Sequence, residues 1–248
     1  MTTIALGSVK GAPGVTTAVL ALAAVWPEQR PLVVVEADPD GGVLAARRAL
    51  GFEPGLVGLA AACRRGVTDV GMHSQPLSDS VRVVIAPSTA AQVRASLAAA
   101  GDDLWPALTG GGDALFDCGR LSVASPAIGL AACADHTLVL ARPRIEDIAL
   151  IRDRIAPLRS MGIAPKIVLI DDGPYRTDEV GDAVDAPVVA RLPIDHRAAD
   201  ALNGVAAYHR LHRSRLLRTV RALVDDLTTS QRHPPADNGA AGSVAARL

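Results

Sequence analysis

The chain has 248 residues, 49% of them apolar, and a formal net charge of −1. That length suits one α/β domain with a sizeable core, and the near-neutral charge gives no global reason to expect nucleic acid or an acidic partner. No apolar run nears the roughly 20 residues needed to span a bilayer, and the N-terminus lacks a signal peptide's basic start and cleavage site, so a cytoplasmic location is expected.

Short β-branched runs alternate with longer helical patterns along the chain. A strand over residues 3–7 leads through V-K-G-A-P-G-V-T-T into a helix over 16–26. The next strand, 32–36, ends in the acids of E-A-D-P-D-G-G and is followed by helices over 42–50 and 56–65. Further strands are expected at 81–86, 114–117, 137–141, 166–170 and 188–191, interleaved with helices at 90–100, 145–160, 178–182 and 195–202. Most of these strands are continuous apolar runs, the pattern of strands covered on both faces. The alternation predicts a doubly wound, mostly parallel sheet with helices on both faces.

A last helix is expected over 205–227, with one apolar stripe of Leu216, Leu217, Val220, Leu223, Val224 and Leu227. Its other side carries Arg210, Arg213, Arg215, Arg218 and Arg221. Those arginines could touch nucleic acid phosphates or an anionic membrane. A sheet-covering helix with a solvated basic face is the favoured reading, because the helix lacks bulky aromatic anchors. Residues 228–248 are too polar to bury a core and are expected to form a disordered tail. The division is therefore a domain over 1–227 and a tail over 228–248.

Cys63, Cys118 and Cys133 form no C-x-x-C pair and have no histidines at ligand spacing, so they are expected to be buried small apolar residues. The six histidines do not cluster with the acids, and Ser122 and Ser125 lack a G-x-S-x-G context. None of these is assigned a catalytic role.

The loop after the first strand carries the most chemistry. Backbone N–H groups of a glycine turn converge there, and the following helix N-terminus adds partial positive charge. Gly11 and Gly14 permit the backbone geometry. Thr16 sits where a hydroxyl can cap the helix or ligate Mg²⁺, and Thr17 can reach a neighbouring phosphate. Residues Lys10, Gly11, Ala12, Pro13, Gly14, Val15, Thr16 and Thr17 are therefore the candidate cofactor-binding set. Lys10 stands out because Lys10 and Lys166 are the only lysines among 25 basic residues. Glu36, Asp38 and Asp40 end the second strand and Asp117 ends the fourth, which places acids at the crevice of such a sheet.

These three segments together, V-K-G-A-P-G-V-T-T, V-V-V-E-A-D-P-D-G-G and D-A-L-F-D-C-G-R, resemble the ParA/MinD group of deviant Walker ATPases. Two weaker segments, R-P-R-I-E-D-I and L-P-I-D-H-R-A-A-D-A, extend the likeness to roughly residues 1–227. The resemblance implies a P-loop fold binding ATP and Mg²⁺ within a homodimer. Lys10 would reach across the dimer to the partner subunit's phosphates, and Thr16 would ligate magnesium. Asp38 would position the attacking water and contribute to the metal site, and Asp117 would support the metal. Lys10 and Asp38 are thus the candidate catalytic residues, and Thr16, Asp117 and Asp38 the candidate metal site.

The departures from the family pattern are as informative. Val15 stands where a P-loop lysine would contact the β- and γ-phosphates, a loss of about tenfold to a hundredfold in affinity for one charge-assisted contact. Ala12 replaces a glycine, and V-L-I-D-D-G at 168–173 stands where the family often has an asparagine contacting adenine. A non-lysine residue at position 15 is similar to the CpaE/TadZ branch, which implies a positioning factor for pilus or secretion machinery, recruited to a membrane or cell pole. Two alternatives stay open. One is a pseudo-ATPase scaffold that binds no nucleotide. The other is a dinucleotide-binding enzyme, in which Glu36 would hold a ribose hydroxyl although the G-x-G-x-x-G fingerprint is unmet.

Overall fold

The computed structural model describes residues 1–10, 14–66, 69–109 and 112–229. Eight strands form one sheet: β1 (Thr3–Ser8), β2 (Leu32–Glu36), β3 (Gln75–Pro76), β4 (Val81–Val84), β5 (Asp113–Arg120), β6 (His136–Ala141), β7 (Pro165–Ile170) and β8 (Val188–Leu192). Their order across the sheet is β3-β4-β2-β5-β1-β6-β7-β8. Every pair is parallel except β3 with β4. All seven expected strands are present. β3 went unread because two residues carry no periodic signal.

Helices cover both faces, as the alternation predicts. One face packs against α1 (Val15–Val25), α2 (Leu44–Arg48), α9 (His196–Leu202) and α10 (Arg215–Thr229). The other packs against α3 (Leu56–Cys63), α4 (Ala90–Ala100), α5 (Leu104–Thr109), α6 (Ile128–Cys133), α7 (Ile145–Ser160) and α8 (Thr177–Val184). The strands divide their side chains between the two cores by simple alternation. Ile4, Leu6, Val34 and Leu115 go to the first, and Ala5, Val35, Ala114 and Phe116 go to the second. The core is thus aliphatic and alanine-rich, with thin side chains that let helices lie close to the sheet.

Two expectations are corrected here. The helix expected from residue 205 begins at Arg215, after a 3₁₀ turn at Leu211–Arg213. Ser214 sets that start: its buried hydroxyl accepts the Leu217 N–H at 3.1 Å, an N-cap that closes the helix at this point. The apolar stripe is buried and the arginines Arg215, Arg218 and Arg221 are exposed, the arrangement of a sheet-covering helix. Residues 228 and 229 extend α10, and the remainder of the expected tail lies outside the described residues. Among the cysteines, Cys63 and Cys118 are buried, but Cys133 at the end of α6 is exposed. No described helix is long and apolar enough to cross a membrane.

β1 lies between β5 and β6, so successive connections leave it in opposite directions. The loops after β1, β2, β5 and β6 therefore meet over the C-terminal edge of the sheet, the position where open α/β sheets bind ligands.

Candidate functional site

The loop after β1 begins with Val9 buried and Lys10 exposed. Lys10 makes no ion pair with a described residue. Gly11, Ala12 and Pro13 lie outside the described residues, so the expected cradle is defined by its two ends. Gly14 is the N-cap of α1 with φ 90° and ψ 40°, a left-handed conformation natural for glycine. No side chain caps the helix. Its first-turn N–H groups are the donors an anion would take.

Val15 follows at the first position of α1. Its side chain is 5% exposed and belongs to the core beneath α1, together with Val19 and Leu22. Only its backbone N–H is left to face a ligand. A valine fits here because the position packs inward at the helix start, and β-branching costs little where no rotamer freedom is needed. Thr16 and Thr17 are half-buried. Thr17 Oγ1 accepts a hydrogen bond from Asn203 Nδ2 at 3.1 Å, a contact from the end of α9.

Asp117 lies on β5 opposite Leu6 of β1 and Glu36 of β2 and is 1% exposed. Its Oδ1 accepts the Gly119 N–H at 3.2 Å, while its buried Oδ2 has no partner among the described residues. Burial pushes its pKa up to about 7, with the nearby charges of Asp38 and Glu36 acting in the same direction. The neighbouring Thr16 hydroxyl acts against this without closing a full hydrogen bond to Oδ2. A buried carboxylate oxygen left open beside a helix-start threonine fits a site for a hydrated cation. Magnesium in such a site takes oxygen ligands from the threonine hydroxyl, phosphates and water, with carboxylates behind the water. No group of three His, Cys, Asp or Glu side chains that could ligate a metal directly is assembled among the described residues.

Asp38 reaches the same place from β2. Gly119, at φ +55°, lies directly under its carboxyl, and a Cβ there would fall 2.0 Å from Asp38 Cγ. Asp38 Oδ1 accepts the Asp40 N–H at 2.9 Å. Its pKa is raised chiefly by burial, then by the charge of Asp40, and is held back by Arg120 and Arg94. Thr16, Asp38 and Asp117 are therefore neighbours. Arg120 is a genuine electrostatic neighbour of this group.

Glu36 plays a different part. Its Oε1 accepts the N–H groups of Val43 at 2.5 Å and Leu44 at 2.8 Å, and Oε2 accepts Ala86 N–H at 3.0 Å. Burial raises its pKa and these three bonds oppose the rise. The carboxylate fastens the start of α2 to the end of β4. With three backbone donors on it and 1% exposure, it is out of reach of a ribose hydroxyl, which removes the main support for a dinucleotide site.

A cavity of about 230 Å³ opens beside the loop, lined by Gly14, Thr17, Arg142, Ile170, Pro193 and His196 among others. It is where the two weaker segments meet, R-P-R-I-E-D-I through Arg142 and L-P-I-D-H-R-A-A-D-A through Pro193 and His196. Arg142 and His196 were not singled out by sequence reasoning, because neither belongs to a motif of acids or glycines. Asp171 takes a left-handed conformation, φ 81°, with its Oδ1 bonded to Asp172 N–H at 2.7 Å. Ile170, rather than either acid, lines the cavity.

These features define a doubly wound α/β protein with an uncapped helix N-terminus at Gly14 and a group of buried acids at its switch point. Sequence comparison with protein-family models and with curated proteins gives no match. Structural comparison does. A ParA family ATPase from Chlorobium tepidum TLS superposes with a TM-score of 0.75 at 17% identity, covering 90% of this chain and 98% of that one. The septum site-determining protein MinD of Pyrococcus horikoshii OT3, complexed with Mg-ADP, gives 0.73 at 18% identity, with 93% and 97% coverage. A Cyanothece McdA variant in complex with ATP gives 0.68 at 15%, with 92% and 96% coverage. The chain has the fold of the ParA/MinD P-loop ATPases.

Proposed function

We propose that this chain is a ParA/MinD-like positioning protein that binds ATP with Mg²⁺ weakly, pairs face to face over the loop, and hydrolyses slowly or not at all. The observation that carries the reading is the open Oδ2 of Asp117 beside Thr16, at the uncapped N-terminus of α1. An orphaned buried acceptor costs about 1–3 kcal/mol, and a hydrated cation at the phosphates would offset that cost. Solved structures of the same fold contain Mg-ADP or ATP, which supports the choice of ligand.

In this reading the α1 N-terminus and the loop backbone hold the phosphates, and Thr16 supplies a metal ligand. Asp117 and Asp38 would accept from the metal's water shell, and Asp38 would orient the attacking water. The metal would neutralise charge on the phosphates. Val15, turned into the core, supplies no cation. The positive charge has to come from the exposed Lys10 of a second subunit, which makes binding depend on dimerisation. The weak in-subunit site agrees with the CpaE/TadZ-like branch and with an output that is a nucleotide-biased surface. That surface would recruit a protein partner of a larger assembly, such as a pilus or secretion ATPase, at a membrane or cell pole.

The buried Val15 also favours a second reading, a scaffold that binds no nucleotide, and one experiment separates the two. Mg²⁺-ATP is titrated at several protein concentrations, with Lys10→Ala beside the native chain. Apparent affinity should rise with protein concentration in the native chain, and Lys10→Ala should abolish that dependence. Absence of binding at every concentration would establish the scaffold instead.

A further inference from the structure

Asn203 ends α9, far along the chain from the loop, yet it touches Thr17. Its Nδ2 donates to Thr17 Oγ1 at 3.1 Å and to Ala199 O at 2.8 Å, and its Oδ1 accepts from Arg47 Nη1 at 2.8 Å. Chemistry fixes this orientation. A guanidinium can only donate and a carbonyl can only accept, so the amide cannot be turned over. Both amide hydrogens are then committed. Thr17 Oγ1 must be the acceptor in their contact, and its own proton is left for another group. Among the described residues no acceptor takes that proton, and Thr17 lines the cavity beside Gly14.

Asn203 is itself clamped. Arg47 and Arg48 belong to α2, and Arg48 Nη1 donates to Leu202 O at 3.0 Å, so two cations sit at the C-terminal end of α9. Gly204, φ +77°, lies against α2: a Cβ there would stand 2.2 Å from Arg47 O. The amide is half-buried, and its orientation is set by its three hydrogen bonds rather than by burial.

We infer that Asn203 is a positioning residue of the proposed nucleotide site: by donating to Thr17 Oγ1 it directs the hydroxyl proton to a phosphate oxygen at the start of α1. Arg47 acts behind it by fixing the amide. The inference rests on the nucleotide reading above and adds a residue that no glycine or acid motif contains.

A four-protein cycle tests it: the native chain, Asn203→Ala, Thr17→Ala and the double variant, each titrated with Mg²⁺-ATP and each melted without ligand. Each single change should lower affinity by about threefold to tenfold, the range of one hydrogen bond. The double variant should bind no more weakly than Thr17→Ala, because Asn203 acts only through that hydroxyl. Additive losses, or an Asn203→Ala protein that binds as the native chain does, would overturn the role of Asn203 and leave the nucleotide reading standing. A native chain that binds no Mg²⁺-ATP at any concentration would overturn both. The melts guard against a merely structural effect, which would lower stability equally with or without the Thr17 hydroxyl.

Discussion

Asp113 and Asp117 stand on the same strand, β5, at opposite edges of the sheet, and both are buried, 3% and 1% exposed. Asp113 is saturated. Its Oδ1 accepts from Thr2 N–H and Arg30 Nη2, both at 2.6 Å, and its Oδ2 from Trp26 Nε1 at 2.9 Å and Arg30 Nε at 2.6 Å. Arg30 also lies over the Trp26 ring, 5.8 Å from its centre. Asp117 has one backbone donor on one oxygen and nothing on the other. Two identical side chains under the same burial thus mark the difference between a carboxylate that holds a fold together and one kept open for a ligand. The N-terminal edge of the sheet is closed by its own side chains, and the C-terminal edge is left incomplete.

The largest expected effect breaks the closed side. Asp113→Ala removes the acceptor shared by Thr2, Trp26 and Arg30 and leaves four N–H donors behind, two of them on the charged Arg30. Losing one partner of a buried ion pair costs about 3–5 kcal/mol, reduced here because the Arg30 side chain is 30% exposed. Urea denaturation should show a loss of about 2–4 kcal/mol, with nucleotide affinity per folded molecule unchanged. A loss under about 0.5 kcal/mol, the range of an ordinary surface substitution, would mean that the network is ornamental and the contrast with Asp117 unfounded.

The next effect comes from the open side and has the opposite sign. The pKa of Asp117 is raised to about 7 in the folded chain, from an ordinary 3.8. Between those values the folded state binds more protons than the unfolded one, so stability is fullest below pH 4 and falls as pH rises through 7. Asp117→Asn removes that slope and the buried charge, and should stabilise the ligand-free protein at pH 8 by about 1–3 kcal/mol. Mg²⁺-ATP should raise the melting temperature of the native chain more at pH 8 than at pH 6, because the metal favours the charged carboxylate. It should raise that of Asp117→Asn little at either pH. A native chain whose ligand-free stability is flat from pH 5 to 8 would contradict the open-carboxylate reading.

How much of this contrast could be read from the sequence follows from which signals are local. V-V-V before Glu36 and the apolar run before Asp117 are local, and they placed both strands and both acids at the correct edge. The start of α10 was misread because the stripe of Leu216 to Leu227 says where a helix is buried but not where it is capped. Ser214 supplies that information through one hydroxyl. Glu36 has no role in the sequence reading beyond the ribose contact of the dinucleotide alternative. Glu36 is closed by N–H groups of Val43, Leu44 and Ala86, and only tertiary contacts reveal that. Val15 was legible as a missing lysine, whereas its burial was not. Asn203 carried no signal at all, since its meaning depends on Thr17 and Arg47 meeting it from two other helices.

The smallest expected effect lies on the closed edge and concerns its histidine, His136. His136, at the start of β6, bridges Lys166 Nζ at Nδ1 and Leu227 O at Nε2, both at 3.1 Å. An ammonium can only donate, so Nδ1 is the acceptor and Nε2 carries the proton given to the last turns of α10. Burial lowers the pKa of His136 below its ordinary 6.5, with the Lys166 charge adding to the fall and Asp135 opposing it. The unfolded chain then binds the extra proton first, so stability is complete above pH 6.5 and declines as pH falls below it. This slope runs against that of Asp117 between pH 5 and 6.5, and the native chain shows only their sum. Asp117→Asn removes the largest opposing slope, and the His136 part is then read as the difference between Asp117→Asn and the same background carrying His136→Gln, because Glu36 and Asp38 are raised as well. That part should be a drop of about 0.5–1 kcal/mol on going from pH 7 to 5, the modest size proper to a half-buried pair. If the two variants show the same pH dependence over that range, the end of α10 is held by its apolar stripe alone, and the closed edge of the sheet contains no proton-sensitive tie.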